Sequence, residues 1–149
     1  MQYNDVENYF KTNNFEGLLS DCNSIFVTIL ELSDKFTSDG SIDNPETVKE
    51  IMTKLSGCYN SLKLVEIVSD ITKQKEELLY YTNRKREIET KGDKFVSAST
   101  EREASSHVMD YRRVRNIVEG YLDICEKTIS VCQSLLKFAV EEAKLSKSN

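Results

Sequence analysis

From Thr100 to Leu145 apolar residues recur every three or four positions, with no Pro and a single Gly to interrupt them. That is about twelve turns of continuous helix. One row runs Tyr111, Val114, Val118, Tyr121, Cys125, Thr128, Cys132, Leu135, Ala139, the alternation of three and four that marks a coiled-coil seam. Two more rows lie beside it at sevenfold spacing: Ile117, Ile124, Val131, Phe138 and Leu122, Ile129, Leu136, Ala143. Three adjacent apolar rows make a face too wide for one partner helix. It must be covered from more than one side, by its own chain or by other copies.

The rest of the chain is read against that helix. One Pro, five Gly and no Trp among 149 residues, with 30% charged, suit long helices and not a β-rich fold. A polar, acidic N-terminus without a basic segment predicts no secretory signal. No run approaches the roughly 20 apolar residues of a membrane span. A cytoplasmic protein without a membrane partner is the expectation. Cys22, Cys58, Cys125 and Cys132 sit at core-type helical positions. Cys125 and Cys132, seven residues apart on one helix, stand about 10 Å apart along its axis, too far for a disulfide or a shared zinc ion. Buried free thiols are expected, with a Cys22–Cys58 bridge between helices geometrically open.

In chain order, Asp5 to Lys11 predicts a short helical turn with Val6, Tyr9 and Phe10 inward, broken at Thr12-Asn-Asn. A helix over Phe15–Phe36 follows, and Thr37-Ser-Asp-Gly-Ser is the clearest loop. Asn44-Pro45-Glu46 is a helix start: a capping Asn, a Pro whose missing N–H is harmless in the first turn, and an acid at the positive dipole end. The helix continues to about Thr90 and would extend about 70 Å. Lys91-Gly-Asp-Lys closes it as a turn, and Phe95-Val-Ser-Ala-Ser serves as connector. Thr100-Glu-Arg-Glu103 reads as a capping box opening the last helix.

The expected fold is all-α: a long antiparallel helical hairpin with an N-terminal helix packed against it, coiled-coil-like and oligomeric. Its regions are an acidic N-terminal part (1–43), a long helix (44–91), a turn and connector (92–99), a second long helix (100–145) and a tail (146–149). The Phe15–Phe36 helix should cover one row along Tyr121–Leu145. The surplus would form a subunit interface of Ile117, Leu122, Ile124, Ile129, Val131, Leu136 and Phe138, unless the N-terminal helix alone suffices in a monomer.

No catalytic constellation is present in the sequence. His107 is the only histidine, the glycines are scattered singly, and the acid pairs look like solvated helix charges. A non-enzyme is expected, with no cofactor, metal or small-molecule substrate. The net charge of −5 is concentrated early: residues 1–57 carry 4 Lys+Arg against 10 Asp+Glu. The candidate functional surface is the basic tip of the hairpin. Between residues 73 and 115, 11 cations meet 8 acids, a local +3. Lys73, Lys75, Arg84, Lys85, Arg86, Lys91, Lys94 and Arg102 can pair with phosphates, while Tyr80 and Tyr81 offer faces on which unpaired bases stack. A solvated stalk of i,i+4 ion pairs is the competing reading. Several copies in one assembly would multiply the weak patch into avid binding.

The order of these features resembles the UvsY-type phage recombination mediator family over roughly residues 60–145. A basic helix with tyrosines (Lys73 to Glu89) is followed by a charged turn with Gly (Lys91-Gly-Asp-Lys). A helix opening in Ser97-Ala-Ser-Thr-Glu-Arg-Glu-Ala-Ser-Ser comes next, and Ser134-Leu-Leu-Lys-Phe-Ala-Val is similar to the family's closing pattern. The resemblance implies a small helical homo-oligomer in the host cytoplasm. It would bind single-stranded DNA and help load a recombinase while displacing a single-strand-binding protein. The alternative is a structural or adaptor bundle, such as a virion component or an inhibitor of a host factor, with protein partners only.

Overall fold

The computed structural model describes residues 1–36 and 44–148. Among these residues the chain forms helices and no strands: α1 (Tyr3–Lys11), α2 (Phe15–Asp34), α3 (Pro45–Thr90), α4 (Ser97–His107) and α5 (Met109–Lys147). The protein is all-α. The loop expected at Thr37-Ser-Asp-Gly-Ser lies outside the described residues.

Local chemistry accounts for most of the helix ends. After α1, Thr12 donates its hydroxyl to the Asn8 carbonyl (2.8 Å), and Asn13 adopts a left-handed φ of 53°. The Asn14 side chain accepts the Gly17 N–H at 3.0 Å and so caps α2. Asn44 caps α3 in the same way, accepting the Glu46 N–H at 3.0 Å, with Pro45 in the first turn as expected. Gly92, at φ 77°, takes the left-handed conformation after α3 that a side chain would resist.

The C-terminal helix departs from expectation twice. It begins at Ser97, so Thr100 is an interior residue and not a cap. Thr100 is buried, and its hydroxyl donates back to the Val96 carbonyl at 3.2 Å. The helix is also split, because Val108 (φ −98°, ψ 19°) ends α4 before α5 begins at Met109. No Gly or Pro marks this break. Tertiary contacts hold it: the Val108 side chain is fully buried, Ser69 donates to the Tyr111 carbonyl (3.2 Å), and Arg112 donates to the Ser105 hydroxyl (3.0 Å).

Contacts divide the chain into two compact units, one of residues 1–20 with 64–118 and one of 21–63 with 119–149. In the first, Val6, Phe10, Leu18, Val65, Val68, Ala104, Val108, Tyr111, Val114 and Val118 are buried. The Phe10 ring stacks on Tyr111 at 5.6 Å, and Phe15 meets the same tyrosine edge-on at 4.9 Å. Here α3 runs antiparallel to α4 and α5: Ser69 bonds to Tyr111, Tyr80 stacks on His107, and Arg84 pairs with Glu103. Partners retreat along the chain as α3 advances.

In the second unit Cys22, Phe26, Ile29, Leu32, Val48, Ile51, Leu55, Leu62, Leu122, Cys125 and Cys132 are buried. Phe26 stacks on Tyr121 at 4.0 Å. Seven residues further along each helix, Thr128 donates to the Ser33 hydroxyl, so α2 and α5 run parallel. Within this unit α2 meets α5 between Tyr121 and Thr128, short of the expected Leu145, and beyond Cys132 Leu135 is 38% and Phe138 61% exposed.

Among the proposed interface residues, Leu122 is 3% exposed and therefore belongs to the core of its own chain. Ile117, Ile124, Ile129 and Leu136 are half-buried, whereas Val131 and Phe138 face solvent. All four cysteines are free thiols, so Cys22 and Cys58 are not bridged. Burial pushes the Cys22 and Cys125 thiols up to about 11.

Candidate nucleic-acid interface

The end of α3, the Gly92 turn and the start of α4 bring most of the expected basic and aromatic residues into one region of the first unit. The geometry sorts them into three groups. In the first, cations are used internally. Arg84 donates from Nε to Glu103 at 2.9 Å and from Nη1 to Glu87 at 3.2 Å. Glu103 first, then Glu87, raises the Arg84 pKa above its ordinary value. Lys73 is largely withdrawn, its side chain 14% exposed and 3.8 Å from Asp70. Both were expected to bind phosphate. The structure instead gives Arg84 a bridging role between α3 and α4, because acids one helical turn away and across the turn reach it first.

The second group is aromatic. Phe95, in the connector, gathers Tyr81 edge-on at 6.0 Å and the Lys85 ammonium at 5.3 Å from its ring centre. The Tyr81 hydroxyl lies 3.2 Å from that of Ser97. Tyr80 does not join this cluster. It stacks on His107 of α4, the rings 4.6 Å apart and 25° from parallel. So the two adjacent tyrosines serve different partners, as consecutive residues on a helix must.

The third group is free. Arg86, Lys91, Lys94 and Arg102 are exposed and make no ion pair among the described residues. Lys75 is exposed too, but it lines a different groove of about 800 Å³, which His107 also borders, with Glu7, Lys11, Glu76 and Asp110. Three acids there, Glu7, Glu76 and Asp110, face two lysines, and Glu7 is already paired with Lys11 at 2.7 Å.

Two further grooves flank the Tyr80–His107 stack. One, of about 410 Å³, carries Glu76, Glu87 and Glu103 among its lining residues. The other, of about 530 Å³, is lined by Tyr80, Ser99, Arg102, Glu103, Ser106 and His107. His107, Ser99 and Ser106 were not among the expected site residues. Ser99, Arg102 and Ser106 stand three and four residues apart, which puts them on one face of a helix. No local pattern signals the stack, because Tyr80 lies 27 positions from His107 in the sequence. Only the register set by the Gly92 turn brings the two rings together.

Among the described residues no group of three His, Cys, Asp or Glu side chains is arranged to hold a metal ion. Among them, too, no helix is long and apolar enough to cross a membrane. No protein-family model, no curated protein and no solved structure matches this chain.

Proposed function

We propose that the protein is a non-enzymatic, homo-oligomeric helical protein that binds single-stranded DNA and assists recombinase loading, in the manner of the UvsY-type mediators it resembles. In this reading the whole chain folds back as a helical hairpin, and copies associate through the uncovered part of α5. The observation that carries it is that Arg86, Lys91, Lys94 and Arg102, in the same stretch of chain as two aromatic pairs, are exposed and make no ion pair among the described residues. Cations without internal partners attract a phosphate backbone, and flat rings accept bases without regard to sequence. Oligomerisation would set several such patches on one strand.

The test is binding to a labelled oligonucleotide across a salt titration. Affinity should fall steeply as salt rises, and the triple substitution Arg86→Glu, Lys91→Glu, Arg102→Glu should abolish it. A folded assembly with no affinity at low salt would exclude the reading. The second reading, an adaptor bundle with protein partners only, draws on a different observation. Ile67, Ile71 and Leu78 recur at near-heptad spacing on α3 and are 46%, 53% and 67% exposed. Apolar stripes of that kind suit a partner helix. Pull-down with loss of capture on Ile71→Glu and Leu78→Glu, without DNA binding, would favour it.

A further inference from the structure

We infer that the Tyr80–His107 stack is the platform for a single unpaired nucleobase, with Arg102 holding the adjoining phosphate. The inference rests on the single-strand reading above and assigns a site within it. Two nearly parallel rings, one from α3 and one from α4, already form a short stack. Tyr80 is half-buried and His107 exposed, and neither ring has another ring contact among the described residues. A third flat ring laid on His107 would extend the stack.

The groove on the Ser99 side has the volume and chemistry for a nucleotide. At about 530 Å³ it is a shallow recess open to solvent, in which a base and its phosphate would lie along the surface. Its one acid, Glu103, is neutralised by Arg84 at 2.9 Å, so Arg102 is the unbalanced charge. The Ser99 and Ser106 hydroxyls make no hydrogen bond among the described residues and are available to a base edge or a phosphate oxygen. On the opposite side, Glu76, Glu87 and Glu103 meet Arg84 alone, a net negative lining, so the polarity of the two grooves favours the backbone on the Arg102 side.

His107 is also held where it is needed. It is the last residue of α4, fixed by the fully buried Val108 beside it. The Arg112–Ser105 hydrogen bond spans the same break. A ring positioned by a buried neighbour loses little freedom when a base stacks on it.

The experiment compares a labelled thymidine oligonucleotide with a fully abasic strand of the same length, using the full chain and circular dichroism to verify folding. The wild type should prefer the base-bearing strand by about tenfold, a stacking-sized effect. His107→Ala should cut that preference several-fold, leaving what the Tyr81–Phe95 pair supplies, with the salt dependence unchanged, whereas His107→Phe should keep it. Arg102→Gln should weaken both strands alike and lower the salt slope by about one. The chain has no Trp, so Tyr80→Trp adds a direct probe whose fluorescence a stacked base quenches. Equal affinity for the two strands, or a preference that His107→Ala leaves undiminished, overturns the platform while sparing single-strand binding. No affinity for either strand overturns both.

Discussion

Single side chains divide here into those that hold the units together and those left over for other work. Leu55 belongs to the first kind. It is fully buried in the second unit, and its carbonyl accepts the Cys125 thiol at 3.1 Å. Leu55→Ala should cost about 2–5 kcal/mol of unfolding free energy, measured by chemical denaturation. The thiols give a second expectation. Burial holds Cys22 and Cys125 protonated up to about pH 11, against an ordinary value of 9.0. The unfolded chain releases those protons first, so stability should fall as pH rises from about 9 through 11. In the folded protein near pH 8, a thiol reagent should modify the half-buried Cys58 ahead of Cys22 and Cys125. Modification of all four at one rate would mean that the core opens as fast as the reagent reacts.

At the scale of elements, the cap of α2 makes a sharp test of how glycine is used. A Cβ on Gly17 would overlap Asn14 Nδ2 and lie 2.6 Å from its Oδ1, in the side chain that caps the helix. Gly57 and Gly120, inside α3 and α5, have nothing within 4 Å of such a Cβ. Gly57→Ala and Gly120→Ala should each raise stability by about 0.5–1 kcal/mol through helix propensity. Gly17→Ala displaces its own cap and should show no gain, because losing the cap offsets the propensity. Thermal melts of the three variants decide it.

Most elements were legible in the sequence because their signals are local. Asn44-Pro45 announced α3, Thr12-Asn-Asn the end of α1, and Gly92 the turn. The row from Tyr111 to Cys132 was legible too, since burial repeats with the helical period. What was not legible depends on contacts distant in sequence. Thr100 carries every mark of a cap, yet three earlier residues already belong to the helix. Val108 breaks α4 from α5 with no breaker residue, held by Ser69 and its own burial. The pairing of Tyr80 with His107 follows from register, which no local pattern encodes.

For the whole molecule, the uncovered stretch of α5 is the feature with the widest reach. Val131, Leu135, Phe138 and Leu145 are exposed at spacings of four, three and seven, the repeat of a seam lacking its partner. If copies associate there, Val131→Glu with Phe138→Glu should reduce the mass seen in sedimentation while the helical circular dichroism persists. Unchanged mass would move the contact elsewhere, and the α3 stripe of Ile67, Ile71 and Leu78 is the next surface to test. Leu122 offers the contrasting control. As a core residue, Leu122→Glu should unfold the chain and not merely divide an assembly.

The break at Val108 also bears on how the tip gains and loses order. Helix α4 has 11 residues, below the length at which a helix persists alone in water. An unbroken helix from Ser97 would have drawn cooperativity from all of α5. Once divided at Val108, α4 keeps its shape through Ala104, Thr100 and the Arg84–Glu103 bridge to α3. Its amide protons should therefore exchange with solvent sooner than those of α5 around Val118, through a partial opening that leaves the longer helix intact. A strand seated across α3 and α4 would slow that exchange, so protection of α4 amides becomes a readout of occupancy that needs no label on the ligand.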